Sequence, residues 1–394
     1  MLSKIQNRDL FFARAYYFAY MGGWGFVLPF INLFYVNLGL SGTQIGTVSS
    51  LSAMVGLVVS PIVVTEIKKL PQARLILQLS LVFGALGYFL LGQQTLFAAI
   101  LVIIFFHAVM TAGIMPTSDA MAVSVAQEAD TGYGSVRVWA SVGWIISVLL
   151  SGWLIEHFGF RAAFTSVAVM WVLGSGLLWL IQPRYFIARK DLALSKPSLK
   201  TAFQHILRDR TLLGFAIAII FIGFLNNGVL QFENVFLSQL GATKQLISIA
   251  GILSAVVELP FMIYADRYVR RVGAPRVLLL ALTMITIQRV VVLLLPYIAT
   301  IMIVRFIGGI SFSFYTISYM GLISSRTRAS ETGTVLALYT VTLSGLVSFV
   351  AAPVSGAIFD AIGARWLYAL SMTGYAIGAI IVWFTRPGEI KTTA

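Results

Sequence analysis

The chain has 394 residues, 59% of them hydrophobic and only 10% charged, with a net charge of +13 and no cysteine. A mean hydropathy of +0.92 excludes a soluble domain of this length and implies helices that span a bilayer, each needing about 20 apolar residues. Disulfides and thiol chemistry are excluded, and the three histidines (His107, His157 and His205) lie on separate segments, so no metal cluster and no cofactor is expected.

The hydrophobic runs predict an all-α integral membrane protein with twelve transmembrane helices, at residues 9–38, 42–67, 71–93, 96–126, 131–157, 160–183, 211–240, 244–266, 274–296, 298–324, 331–359 and 364–386. The N-terminus enters the first run without the features of a cleavable signal peptide, and none is expected. Basic residues collect at the N-terminus and in the even-numbered connections: Lys4, Arg8, Arg14, Lys68, Lys69, Arg74, the stretch from Arg184 to Arg210, Arg267, Arg270, Arg271, Arg276, Arg326 and Arg328. The C-terminus adds Arg386 and Lys391, whereas the odd-numbered connections hold Arg161, Lys244 and Arg365. This asymmetry predicts a cell (inner) membrane protein with both termini cytoplasmic. It also accounts for the positive charge as topology, so no nucleic-acid partner is expected; the bilayer is.

In the first run, Gly22, Gly23 and Gly25 suit close helix packing, and Asn32 and Tyr35 are polar groups available to a cavity. The fourth run carries His107, read as a packing residue, and Asp119 near its inner end. The fifth begins after a short polar connection and carries Arg137 at matching depth, roughly 10 Å inside the same membrane face. A charge in a bilayer costs roughly 3 kcal/mol or more. The two are therefore expected to meet as a pair in a substrate site. Trp144 lies two turns beyond Arg137 on the same helical face, an arrangement that suits a polyhydroxylated ligand or an aromatic carboxylate equally.

After the sixth run, residues 184–210 form a long basic connection that divides the chain into bundles at 1–183 and 211–394. An internal repeat supports the division. SGWLIEHFGFR at 151–161 and SGAIFDAIGAR at 355–365 share Ser-Gly, an apolar stretch, a carboxylate and Gly-x-Arg, matching Gly152 with Gly356, Glu156 with Asp360 and Arg161 with Arg365. In the second half, Asn226, Asn227 and Gln231 are polar groups on the seventh run. Glu258 lies near mid-depth of the eighth with no other charge close in sequence. A carboxyl desolvated in this way favours its neutral form, which suits a proton carrier. Arg289 and Arg305 are further membrane cations, available to pair with Glu258 or to clamp an anionic substrate. FIGGI at 306–310 reads as helix packing.

A parallel duplication of six helices is the architecture of major facilitator transporters. YADRYVRRVGAPR at 264–276 resembles that superfamily's loop motif, while TEIKKLPQAR at 65–74 keeps the basic charge and lacks the Gly and Asp. GYGSVRVWASVGW at 132–144, LPF at 28–30 and GLSGTQIG at 39–46 resemble the lactose permease branch; PTSDAMA at 116–122 and YGSVRVW at 133–139 are closer to its phenylpropionate relatives. The resemblance implies two pseudo-symmetric six-helix bundles in the major facilitator fold. It implies sugar contacts from Asp119 and Arg137, with Trp144 stacking on the ring. The permease's proton-carrying histidine and glutamate fall here on Gly308 and near Ser311, and Asn226 and Asn227 stand where it has acidic groups; with Asn32 they lie on helices that line the cavity in this superfamily and are expected to contact substrate. Glu258 is left as the proton-coupling candidate, with Arg289 aligned as in the phenylpropionate relatives. The expectation is a monomeric secondary transporter rather than an enzyme. It would be a proton symporter for a small polar solute, first a sugar or oligosaccharide and next an aryl acid or nucleoside. The rival is a proton-coupled exporter, disfavoured by the absence of proline from 141–152.

Overall fold

The computed structural model describes residues 2–67, 72–186 and 199–386, and every regular element among them is helical. In order these are α1 (Leu2–Val27), α2 (Ile31–Asn37), α3 (Gly42–Ile67), α4 (Ala73–Leu91), α5 (Phe97–Thr111), α6 (Ile114–Glu128), α7 (Gly134–Phe158) and α8 (Phe160–Trp179). There follow α9 (Leu199–Arg208), α10 (Arg210–Gln239), α11 (Lys244–Val272), α12 (Ala274–Leu294), α13 (Ile298–Arg326), α14 (Ala329–Ala337), α15 (Ser344–Ile362) and α16 (Ala364–Thr385). Eleven are long and apolar enough to cross a membrane when α1–α2, α5–α6 and α14–α15 each count as one span, and the bent α11 makes twelve.

Three expected spans are thus interrupted, each for a local reason. Between α1 and α2 the chain turns through Leu28-Pro29-Phe30, where proline has no N–H to continue the ladder. Between α5 and α6 it turns at Ala112-Gly113, and the Ala112 carbonyl accepts the Ser60 hydroxyl at 2.9 Å. Between α14 and α15 the winding loosens to a π turn over Leu338–Leu343. The basic connection is not all loop: Pro183–Phe186 forms a 3-10 turn and α9 follows, while 187–198 lie outside the described residues. Lys68, Lys69 and Lys391 also lie outside them, as does the centre of the 65–74 motif. In the second copy of that motif Asp266 and Arg270 form an ion pair of 2.9 Å, and Gly273, at φ 94°, turns the chain into α12.

The chain divides into two compact units. One comprises Met1–Leu40, Leu51–Leu192 and Ala242–Ile249; the other Ser41–Ser50, Ala193–Gly241 and Ala250–Ala394. In the first, α1 packs on α7 and α8, and α4 on α8 and α5. In the second, α10 packs on α15 and α16, and α12 on α16 and α13. The same pairing scheme, repeated, is what a duplicated six-span sequence dictates. The first core is aromatic: Trp171, Tyr16, Tyr17 and Tyr20 are fully buried, and Gly23 and Gly84 lie against the Trp171 ring, Gly23 as the small-residue reading of the first run expects. Large apolar side chains such as Phe106, Val172, Ile303 and Trp383 stay exposed, a surface that a bilayer covers.

The repeated motif has a physical explanation. Gly159 (φ 76°, ψ 176°) and Gly363 (φ 83°, ψ 169°) end α7 and α15 in a conformation open essentially to glycine, and each starts the next helix. One turn earlier, the carboxylates serve helix starts. Asp360 accepts the backbone N–H groups of Gly42 (2.6 Å) and Thr43 (2.9 Å) and the Thr43 hydroxyl (2.9 Å), and Glu156 accepts the Gln245 N–H at 3.2 Å. Both satisfy donors that the first turns of α3 and α11 leave unpaired.

Candidate functional site

Within the second unit a cavity of about 450 Å³ opens between α10, α11, α12, α13 and α16. Its charged wall centres on Glu233 of α10. Arg305 of α13 donates to Glu233 Oε2 from Nε (2.9 Å) and Nη2 (2.6 Å), and also reaches Asn234 Oδ1 at 2.6 Å. The Tyr368 hydroxyl donates to Glu233 Oε1 at 2.8 Å. Arg289 of α12 approaches Oε1 only to 3.8 Å, lies 5.7 Å from the Tyr368 ring, and keeps a buried Nε with no hydrogen-bond partner.

Glu258 faces the same cavity from α11. The helix bends by 41° here, between Lys244–Glu258 and Pro260–Val272. Proline at 260 removes one ladder hydrogen bond and crowds the carbonyl four residues back. Ser313 donates to the Glu258 carbonyl at 3.0 Å, but the carboxylate itself has no ion pair or hydrogen bond with a described residue. Gly309 lets α13 approach this bend: a side chain there would collide with the Ser254 carbonyl, whereas Gly308, one residue earlier, faces open space in the cavity. The packing reading of FIGGI therefore holds for Gly309 and not for Gly308. Neither arginine pairs with Glu258. Both turn to Glu233, a residue that sequence reasoning passed over, although it lies two turns beyond Asn226 on one helical face.

Asn226 also lines the cavity and accepts the Ser371 hydroxyl at 2.6 Å. Asn227 does not line it; buried, it accepts from Gln231 of its own helix. In the first unit, Asp119 accepts the hydroxyls of Tyr17 (2.6 Å) and Tyr133 (2.8 Å) on the same oxygen. The expected Asp119–Arg137 ion pair is not formed among the described residues. Tyr133, one turn before Arg137 in the chain, reaches the carboxylate instead. Arg137 is half-buried; its backbone N–H donates to the Tyr133 carbonyl at 3.0 Å, and its guanidinium has no hydrogen bond or ion pair with a described residue. Trp144 is half-buried, with its backbone against Gly25, and Asn32 is half-buried on α2. His107 packs against Tyr88 and Trp171, the role expected of it.

Residues 11–370 match the MFS_1 like family. The chain belongs to that family of major facilitator transporters. It is 29% identical over 271 residues to the maltose permease of Geobacillus stearothermophilus, a match spanning 68% of this chain and 66%, just under two thirds, of that protein's length. It is 27% identical over 175 residues to a protein of Escherichia coli (strain K12) named "Probable 3-phenylpropionic acid transporter", covering 43% of this chain and 45% of that one. The crystal structure of the nucleoside transporter NupG superposes with a TM-score of 0.80 at 14% identity, covering 97% of this chain and all of the other, which shows the fold. The chain is a multi-pass membrane transporter, not an enzyme.

Proposed function

We propose that the protein is a proton-coupled symporter for a small organic solute, working by alternating access with both termini cytoplasmic. The observation that carries this reading is the Glu258 carboxylate, without a partner among the described residues, at a helix bend and opening on the same cavity as the Glu233–Arg305–Arg289 cluster. A proton carrier must be reachable from a solute site and must not be locked into an ion pair; Glu233 is locked and Glu258 is not. In the first unit Asp119, held by two tyrosine hydroxyls, keeps a binding role, as do Arg137, Trp144 and Asn32; in the second unit Asn226 and Arg289 line the cavity.

The test is alkalinisation of the medium by cells or proteoliposomes offered sugars, nucleosides and arylpropionates in turn, against controls without the protein. One class should respond. Glu258→Gln should then abolish uphill accumulation and leave exchange of labelled solute intact. Loss of exchange together with accumulation refutes the assignment of the proton to Glu258.

A further inference from the structure

The cavity in the second unit has a charge balance that depends on one proton. The charged and tyrosine groups that line the cavity together with Glu258 are Glu233 from α10, Arg289 from α12, Arg305 and Tyr315 from α13, and Tyr375 from α16; α11 itself adds no second charge to the wall. With Glu258 ionised, two carboxylates face two guanidinium groups. With Glu258 protonated, one positive charge is left over. The hydrogen bonds say which one. Arg305 donates twice to Glu233 and once to Asn234, whereas Arg289 holds a 3.8 Å contact to Glu233, has the Tyr375 hydroxyl beside it, and keeps a buried Nε–H with no acceptor among the described residues. A buried guanidinium with an unused donor is a site built for an anionic acceptor, and a planar carboxylate matches its fork.

We propose that the solute of this cavity is an organic monocarboxylate that docks on Arg289 and replaces the negative charge Glu258 gives up when it takes a proton. The inference rests on the symport reading above and names its substrate class. Proton and anion then enter the cavity as a neutral pair, and each strengthens the binding of the other by the same factor, because linkage is reciprocal. A neutral sugar or nucleoside in the same place leaves the extra charge uncompensated and gains nothing from protonation. The rest of the wall suits an apolar body behind the carboxylate. Leu230, Ile285, Val304 and Phe312 supply hydrocarbon, Tyr315 and Tyr375 supply rings, and the volume falls in the range of small-ligand sites.

The test uses the purified full-length protein in detergent, where leakage of a protonated acid across a membrane cannot intrude. Binding of benzoate and 3-phenylpropionate is compared with that of 3-phenylpropanamide, which keeps the shape and loses the charge, and with maltose and uridine. The acids should bind and the amide should not. Acid affinity should fall by up to about tenfold per pH unit as Glu258 deprotonates, the slope for one linked proton. Glu258→Gln should bind the acids with an affinity that no longer follows pH, while Arg289→Gln should lose acid binding at least about tenfold and Arg289→Lys recover part of it. Acid binding that still follows pH in Glu258→Gln overturns the proposal, as does equal binding of acid and amide. Maltose or uridine driving alkalinisation while no carboxylate binds would overturn the substrate class and leave proton symport standing. Carboxylates binding as described with no proton flux would instead remove the symport reading.

Discussion

Glu233 is the residue on which the most interactions converge, and its loss should be the most costly single change at the site. Its side chain is 17% exposed and that of Arg305 15%. Breaking such a pair from one side leaves a guanidinium without a counter-charge in a poorly solvated place. Removal of one partner of a buried pair costs about 3–5 kcal/mol, and the residual exposure here argues for the lower end. Glu233→Gln should therefore lower the melting temperature in detergent clearly. Adding Arg305→Met, which removes the stranded cation, should restore a good part of it. No recovery in the double variant would mean that the pair does not carry the loss. The episode also marks the limit of what residue spacing discloses. Arg289, Arg305 and Glu258 stand out because each is a charge in an apolar run. Which carboxylate receives the arginines depends on the rotation of α10, α12 and α13 about their axes, and the single clue to it is the two-turn spacing of Asn226 and Glu233. Asp119 and Arg137 show the same limit: each stands out as a charge in an apolar run, but two tyrosine hydroxyls reach the carboxylate first.

At the scale of elements, the repeat at 151–161 and 355–365 was legible as a pattern before its purpose was. The glycines turn the chain where φ is positive, and the carboxylates cap the starts of α3 and α11. The two caps are unequal. Asp360 accepts three hydrogen bonds of 2.6–2.9 Å, and Glu156 accepts one of 3.2 Å. Loss of a cap costs about 0.5–2 kcal/mol. Asp360→Ala should therefore lower thermal stability by about 1 kcal/mol, and Glu156→Ala by less than half of that, read as melting shifts under identical detergent conditions. Equal shifts would show that the contacts of Asp360 add nothing beyond those of Glu156. Interrupted spans were less legible, because an apolar run looks continuous whether its winding is α throughout or loosens to a π turn, as at Leu338–Leu343. Hydrophobicity registers the membrane, not the local hydrogen-bond pattern.

At the scale of the whole molecule, the membrane class and the duplicated helix pairing follow from composition and repeat, because burial in lipid leaves a chain few alternatives to helices. The side of the membrane that each connection occupies is a separate matter, carried by the distribution of lysine and arginine. That distribution makes a prediction the chain is unusually suited to test, since it contains no cysteine and a single introduced thiol reports without background. Thr95, exposed in the third connection, should lie outside the cell if both termini are cytoplasmic, and Gln72, exposed in the second, should lie inside. Thr95→Cys should react with a membrane-impermeant maleimide in intact cells, and Gln72→Cys only after permeabilisation. The reverse pattern would invert the topology. With it would go the cytoplasmic placement of both termini that the lysine and arginine distribution implies.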